Sequence, residues 1–116
     1  MNRSRVFTNL NFLASLREVR GRRQLLQNMT SAQTKAVCEV AKRIVDGTIN
    51  PLRRDAQTFD RKRTVLRTLA SDRVNVARKK QVLKRHTTLL HVLLHERYVV
   101  LTIIDETRIA GRALEQ

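Results

Sequence analysis

The sequence has little of what marks a catalytic, secreted or membrane-spanning chain. Its single cysteine excludes a disulfide framework and a cysteine-based zinc site. Three glycines and one proline exclude collagen-like and linker chains. The four aromatics, Phe7, Phe12, Phe59 and Tyr98, are scattered singly. None lies in a basic run at the spacing of a base-stacking platform, which argues against single-strand readers. Acids are scarce too, ten against 24 Lys and Arg, for a net charge of +14. No nucleophile–base pair or carboxylate dyad is legible, so the sequence predicts no enzyme, no small-molecule substrate and no cofactor. The longest apolar stretch, Leu89–Ile104, has sixteen residues with Glu96-Arg97 inside it, too short and too polar to span a bilayer.

Arginine is abundant, at eighteen of the 24 basic residues. Its planar fork grips phosphate in a bidentate way and is weakly hydrated. The charge is also uneven. Residues 53–85 hold twelve bases and three acids, +9 of the +14, whereas residues 86–106 hold Arg97 against Glu96, Asp105 and Glu106. A +9 segment packed into a small domain repels itself, and a bound polyanion relieves that cost. Nucleic acid is the first partner this implies, ahead of an anionic membrane surface or a merely solvated basic face. DNA stands ahead of RNA, with duplex phosphates contacted largely regardless of sequence.

At 116 residues with 41% hydrophobic content, the chain supports one core. Residues 1–28 read as an N-terminal basic helical arm, with Leu10, Leu13 and Leu16 at helical spacing. Thr8, Asn9 and Asn11 interrupt any secretory signal. Arg3 and Arg5, with no acid before Glu18, are a composition shared with mitochondrial leaders. Residues 29–106 read as the helical core, with the basic segment 53–85 and an apolar helix 89–104, and residues 107–116 as a C-terminal tail.

The clearest helix spans Ala32–Asp46. Thr30 or Ser31 caps it, Thr30 with Gln33 matching a capping box, and Gly47 suits the left-handed residue after it. Val37, Val40, Ala41, Ile44 and Val45 form one apolar stripe. Lys35, Glu39 and Arg43, four apart, predict ion pairs on a polar flank. Asn50-Pro51 reads as the N-cap and first residue of a second helix, with Leu52, Ala56, Phe59, Leu66 and Ala70 on one side. Arg63 falls inside that apolar side. Either its stem reaches outward or the helix breaks near Asp55–Thr58. Ser71–Val74 is a tight connection, and Asn75 caps a short helix over Val76–Arg85. Leu89–Ile104 is apolar nearly all round, suited to a central helix or a dimer seam through which the chain self-associates. Tyr98–Ile104 is β-branched enough for a strand, but nothing is present to pair with it. The prediction is therefore an all-α fold, a small bundle of four to five short helices.

The runs Arg61-Lys62-Arg63, Arg78-Lys79-Lys80 and Lys84-Arg85 carry the functional signal. The predicted phosphate-contacting residues are Arg54, Arg61, Lys62, Arg67, Arg73, Arg78, Lys79, Lys80, Lys84 and Arg85. Helix, turn and basic helix also allow a helix-turn-helix with Asn75, Arg78 and Gln81 as base readers. His91 and His95 have the spacing of two metal ligands on a helix, but two ligands do not make a site, so no metal is expected. Cys38 flanks the apolar stripe and reads as a small buried thiol, which fits reducing surroundings.

The stretch from Thr34 to Leu83 resembles the small basic proteins encoded in Polinton/Maverick-type DNA elements and adintovirus-like viruses of animals. The resemblance rests on Cys38-Glu39 in a helix, a small-residue stop at Gly47, a Pro51-started basic helix ending Leu69-Ala70, and the run Arg78-Lys79-Lys80. It covers about half the chain. That family follows its last basic helix with a Gly-Gly turn and an apolar tail, and His86-Thr87-Thr88 stands in that place here. The resemblance implies a virus- or element-associated DNA-binding or packaging protein, located in the nucleus or the virion.

Overall fold

The computed structural model describes residues 29–115, so the predicted arm at 1–28 lies outside the described residues. Helix α1 (Ser31–Val45) is the element the others pack around. Its start is the capping box read from the sequence. Gln33 N–H donates to Thr30 Oγ1 at 3.1 Å, and Thr30 N–H donates back to Gln33 Oε1 at 3.0 Å. Asp46 follows as the C-cap, then Gly47 at φ 82°, a left-handed turn that costs any other residue roughly 1–2 kcal/mol.

Five further helices follow: α2 (Arg53–Arg61), α3 (Arg63–Ala70), α4 (Val76–Arg85), α5 (Thr87–Leu93) and α6 (Glu96–Glu115). Among the described residues there is no strand, and the chain is a small all-α bundle. Tyr98–Ile104 is helical throughout. Helix α1 touches α3, α4, α5 and α6, and Ala36, Val37, Val40 and Ala41 are wholly buried against them. Phe59 and Leu66 join this core, as do Leu89, Leu90, Leu93 and Leu94.

Two breaks raise the helix number above the four to five expected. The basic helix breaks at Lys62 (φ −105°, ψ 22°), later than the Asp55–Thr58 window. The break resolves the conflict at Arg63, which opens α3 with its side chain 64% exposed instead of lying in the apolar stripe. The apolar segment also breaks, at Leu94–His95, and the helices on either side meet at 58°. A straight helix apolar all round would leave one side in water. The bend turns Leu89, Leu90, Leu93 and Leu94 inward on one arm, and Tyr98, Val99 and Thr102 inward on the other. Helix α6 then continues through Glu115, so the stretch expected as a tail from residue 107 extends it.

The start of α2 also differs from expectation. Leu52, at φ −60° and ψ 146°, is the N-cap, so Asn50 does not cap and Pro51 precedes the helix. The cause lies 46 residues away. Tyr98 is fully buried, and its hydroxyl accepts the Leu52 N–H at 2.9 Å and donates to Asp55 Oδ2 at 2.5 Å. The Tyr98 ring meets Phe59 edge-on, centroids 5.6 Å apart. The phenol is thus the pin between α6 and the mouth of α2.

Burial, reinforced by the Asp55 carboxylate, pushes the Tyr98 phenol up to about 12. The unfolded phenol titrates near ~10. A raised folded value means the contribution is complete below ~10 and is lost as pH rises through 12. Tyr98 is the sole tyrosine, so ultraviolet phenolate absorbance should rise with a midpoint near 12 in the folded protein and near 10 in denaturant. Tyr98→Phe, which orphans the Leu52 N–H, should cost about 1–3 kcal/mol in urea unfolding and leave α1 intact by circular dichroism.

Candidate nucleic-acid interface

Three of the acids converge on one arginine. Arg43 is 6% exposed. Its Nε donates to Asp105 Oδ2 at 2.8 Å, its Nη1 to Glu39 Oε2 at 2.8 Å and its Nη2 to Glu106 Oε1 at 2.5 Å. Burial alone would lower the pKa of the guanidinium, but the hydrogen bonds it donates to Glu39 and Asp105 and the charge of Glu106 outweigh it and raise it. The expected Glu39–Arg43 pair is therefore present, as part of a partly buried cluster joining α1 to α6, whereas the expected Lys35–Glu39 pair is not found among the described residues. Within the basic segment, Asp55 is directed at Tyr98, and Asp60 accepts from Arg63 at 3.0 Å in an exposed pair of small worth.

None of the ten predicted phosphate contacts is ion-paired to a carboxylate among the described residues. Arg54, Arg61, Arg67, Arg73, Arg78, Lys84 and Arg85 are exposed, and Lys62, Lys79 and Lys80 are half-buried. They do not form one continuous face. Arg67 lines a cleft with Arg63, Phe59 and Leu66. Arg54 Nη2 lies 2.8 Å from His95 Nε2. Lys79 is four residues from buried Leu83 and so turns inward. It shares a cavity of about 550 Å³ with Glu39, Asp72 and Glu106, the poorest surroundings of the ten for binding phosphate.

Arg61, Lys62 and Arg85 do come together. The end of α2 and the junction between α4 and α5 border a half-open cavity of about 250 Å³. The three cations line it with His86 and the threonines Thr58, Thr87 and Thr88, and no carboxylate is among the lining residues. Lys62 Nζ approaches His86 Nδ1 at 3.1 Å. Burial first, then the charges of Lys62 and Arg85, hold the His86 imidazole below its ordinary pKa. None of the three threonine hydroxyls is taken up by another described side chain or backbone group. His86 and the threonines were not among the predicted site residues, because 24 residues separate Lys62 from His86 and only tertiary packing brings the two segments together.

The other constellations resolve differently. The Asn75 carboxamide oxygen accepts the Arg78 N–H at 2.8 Å, so the residue is used as the expected helix cap and is not free to read bases. Arg78 and Gln81 remain exposed. His95 falls in the break after α5, which destroys the helical spacing from His91. A neutral ring has one acceptor nitrogen, so His95 serves either Arg54 at Nε2 or the Arg97 N–H at Nδ1. Among the described residues, no three His, Cys, Asp or Glu side chains are grouped to hold a metal ion. Cys38 is free and buried, and burial raises its thiol to about 11. Among the described residues, no single helix is long and apolar enough to cross a membrane. Comparisons with protein-family models, curated proteins and solved structures return no match.

Removing Arg43 would leave three carboxylates facing one another in a partly dry site. Arg43→Met should destabilise the protein by on the order of 3 kcal/mol at pH 7 in urea unfolding. The loss should shrink as pH falls through the carboxylate range, where the stranded acids take up protons.

Proposed function

We propose that this chain is a non-enzymatic nucleic-acid-binding protein that neutralises phosphates with arginine and lysine, largely regardless of sequence. The observation that carries the reading is the allocation of charge. Five of the acids are committed to Arg43, Tyr98 and Arg63, and eleven of the twelve cations of the basic segment, the ten predicted contacts among them, make no ion pair with a carboxylate among the described residues. Duplex DNA is the favoured partner. The resemblance to proteins of Polinton/Maverick-type elements supports a place in the packaging or handling of element or viral DNA, in the nucleus or virion.

Assembly through residues 89–104 is the second reading. It has Val100 and Ile104 in its favour, 43% and 47% exposed and one helical turn apart. Against it, Leu89, Leu90, Leu93, Leu94, Tyr98 and Val99 are already buried in the chain's own core. Val100→Asp with Ile104→Asp should leave the sedimentation coefficient unchanged. A drop would favour assembly.

The nucleic-acid reading is tested by salt. With about six phosphate contacts, log K for duplex DNA should fall against log[salt] with a slope near about −5 in a mobility-shift titration. Arg78→Glu with Lys84→Glu should weaken every duplex alike and flatten the slope by about 2. An affinity indifferent to salt would remove the proposal. A loss confined to one sequence would favour a helix-turn-helix reader. Heparin bound as tightly as DNA would reduce the function to general polyanion affinity.

A further inference from the structure

Most of the predicted cations stand apart on the surface, where a duplex could touch them in many registers. The cavity between α2 and the α4–α5 junction is different. It gathers Arg61, Lys62 and Arg85 around one half-open space, and two separate stretches of chain must be folded against each other to build it. At about 250 Å³ it is smaller than the roughly 300–1,000 Å³ of sites that enclose whole organic ligands, yet several times the ~30 Å³ of one water. That size suits a small anionic group. Three cations without a lining carboxylate supply the charge, and the hydroxyls of Thr58, Thr87 and Thr88 supply neutral donors.

We infer that this cavity is a seat for a single phosphate group, held by Arg61, Lys62 and Arg85 and completed by the threonine hydroxyls, and that it fixes one backbone phosphate of the bound nucleic acid. The inference rests on the proposed nucleic-acid binding and adds a point of register to it. Arg61, from the end of α2, and Arg85, from the end of α4, supply guanidinium forks to the phosphate oxygens, and Lys62 a point charge. His86 reports on the seat. It faces Lys62 and Arg85, and a phosphate placed among these cations offsets the charges that disfavour its protonation. The binding step is association alone, with no bond made or broken.

The test is nuclear magnetic resonance on the full chain, titrated separately with inorganic phosphate, a short DNA duplex, and phosphatidylcholine vesicles containing phosphatidic acid. Inorganic phosphate should move the His86 ring signals and the Thr87 and Thr88 amides saturably, and should raise the His86 titration midpoint. Arg85→Gln, at an exposed position, should weaken this by tenfold or more, and Lys62→Ala should do the same. Arg78→Ala should leave it intact. Shifts spread evenly over all basic residues, or shifts that survive Arg85→Gln, would overturn the seat. The duplex should move the same signals as phosphate. If the duplex moves only Arg78 and Lys84, the seat falls while nucleic-acid binding stands. If inorganic phosphate and the vesicles occupy the seat and the duplex binds nowhere, the phosphate seat stands and the nucleic-acid reading falls.

Discussion

One buried guanidinium governs the electrostatics of this molecule. A charge inside a protein must be compensated, and Arg43 is compensated by three carboxylates drawn from two helices far apart in sequence. One base against three acids leaves that cluster at −2, and since the chain as a whole is +14, the remainder is +16. The cluster therefore does two things. It ties α6 to α1, and it removes acids that could otherwise screen the basic helices. The cavities differ accordingly. One is lined by Glu39, Asp72 and Glu106 together with Lys35 and Lys79, and the other by Arg61, Lys62 and Arg85 without any carboxylate.

The second organising contact is neutral. Tyr98 buries its ring against Phe59 and uses both hydrogen-bonding capacities of its hydroxyl on the first turn of α2. It thereby sets where α2 begins, and so the rotation of every side chain on that helix. With the start fixed at Arg53, nine residues bring the helix to Arg61, and the break at Lys62 follows. The basic cavity is downstream of that break. A phenol in the core and a cationic site on the surface are in this way parts of one geometric chain.

Much of the fold was legible from the sequence because its signals are local. The Thr30–Gln33 capping box, the Gly47 stop and the Asn75 cap are each decided within a few residues, and the structure has all three. The two helix breaks were misplaced or missed because their causes are not local. Lys62 breaks the helix so that Arg63 can leave an apolar side, and the bend at Leu94–His95 exists because two arms of one apolar segment must face the same core. Nor did the spacing of Arg43 reveal that it is interior. Helical periodicity put it beside Glu39, which is right, but Asp105 and Glu106 lie 62 and 63 residues further on. The individual cations of the candidate interface were readable from charge density. Their grouping was not, since the packing of α2 against α5, decided far along the chain, brings Arg61 and Lys62 against the His86-Thr87-Thr88 step.

That step is where sequence and structure bear most directly on one another. Histidine and two threonines put an imidazole and two hydroxyls at the wall of a cationic cavity. Gathering Arg61, Lys62 and Arg85 around one half-open cavity raises the energy of the empty fold, because like charges repel. An anion in the cavity would offset that repulsion, and any ligand that binds only the folded chain stabilises it by mass action. Folding and phosphate contact would then draw on the same group of charges. On this view the end of α2 has a use of its own, since it sets two adjacent cations beside Arg85 of a different helix.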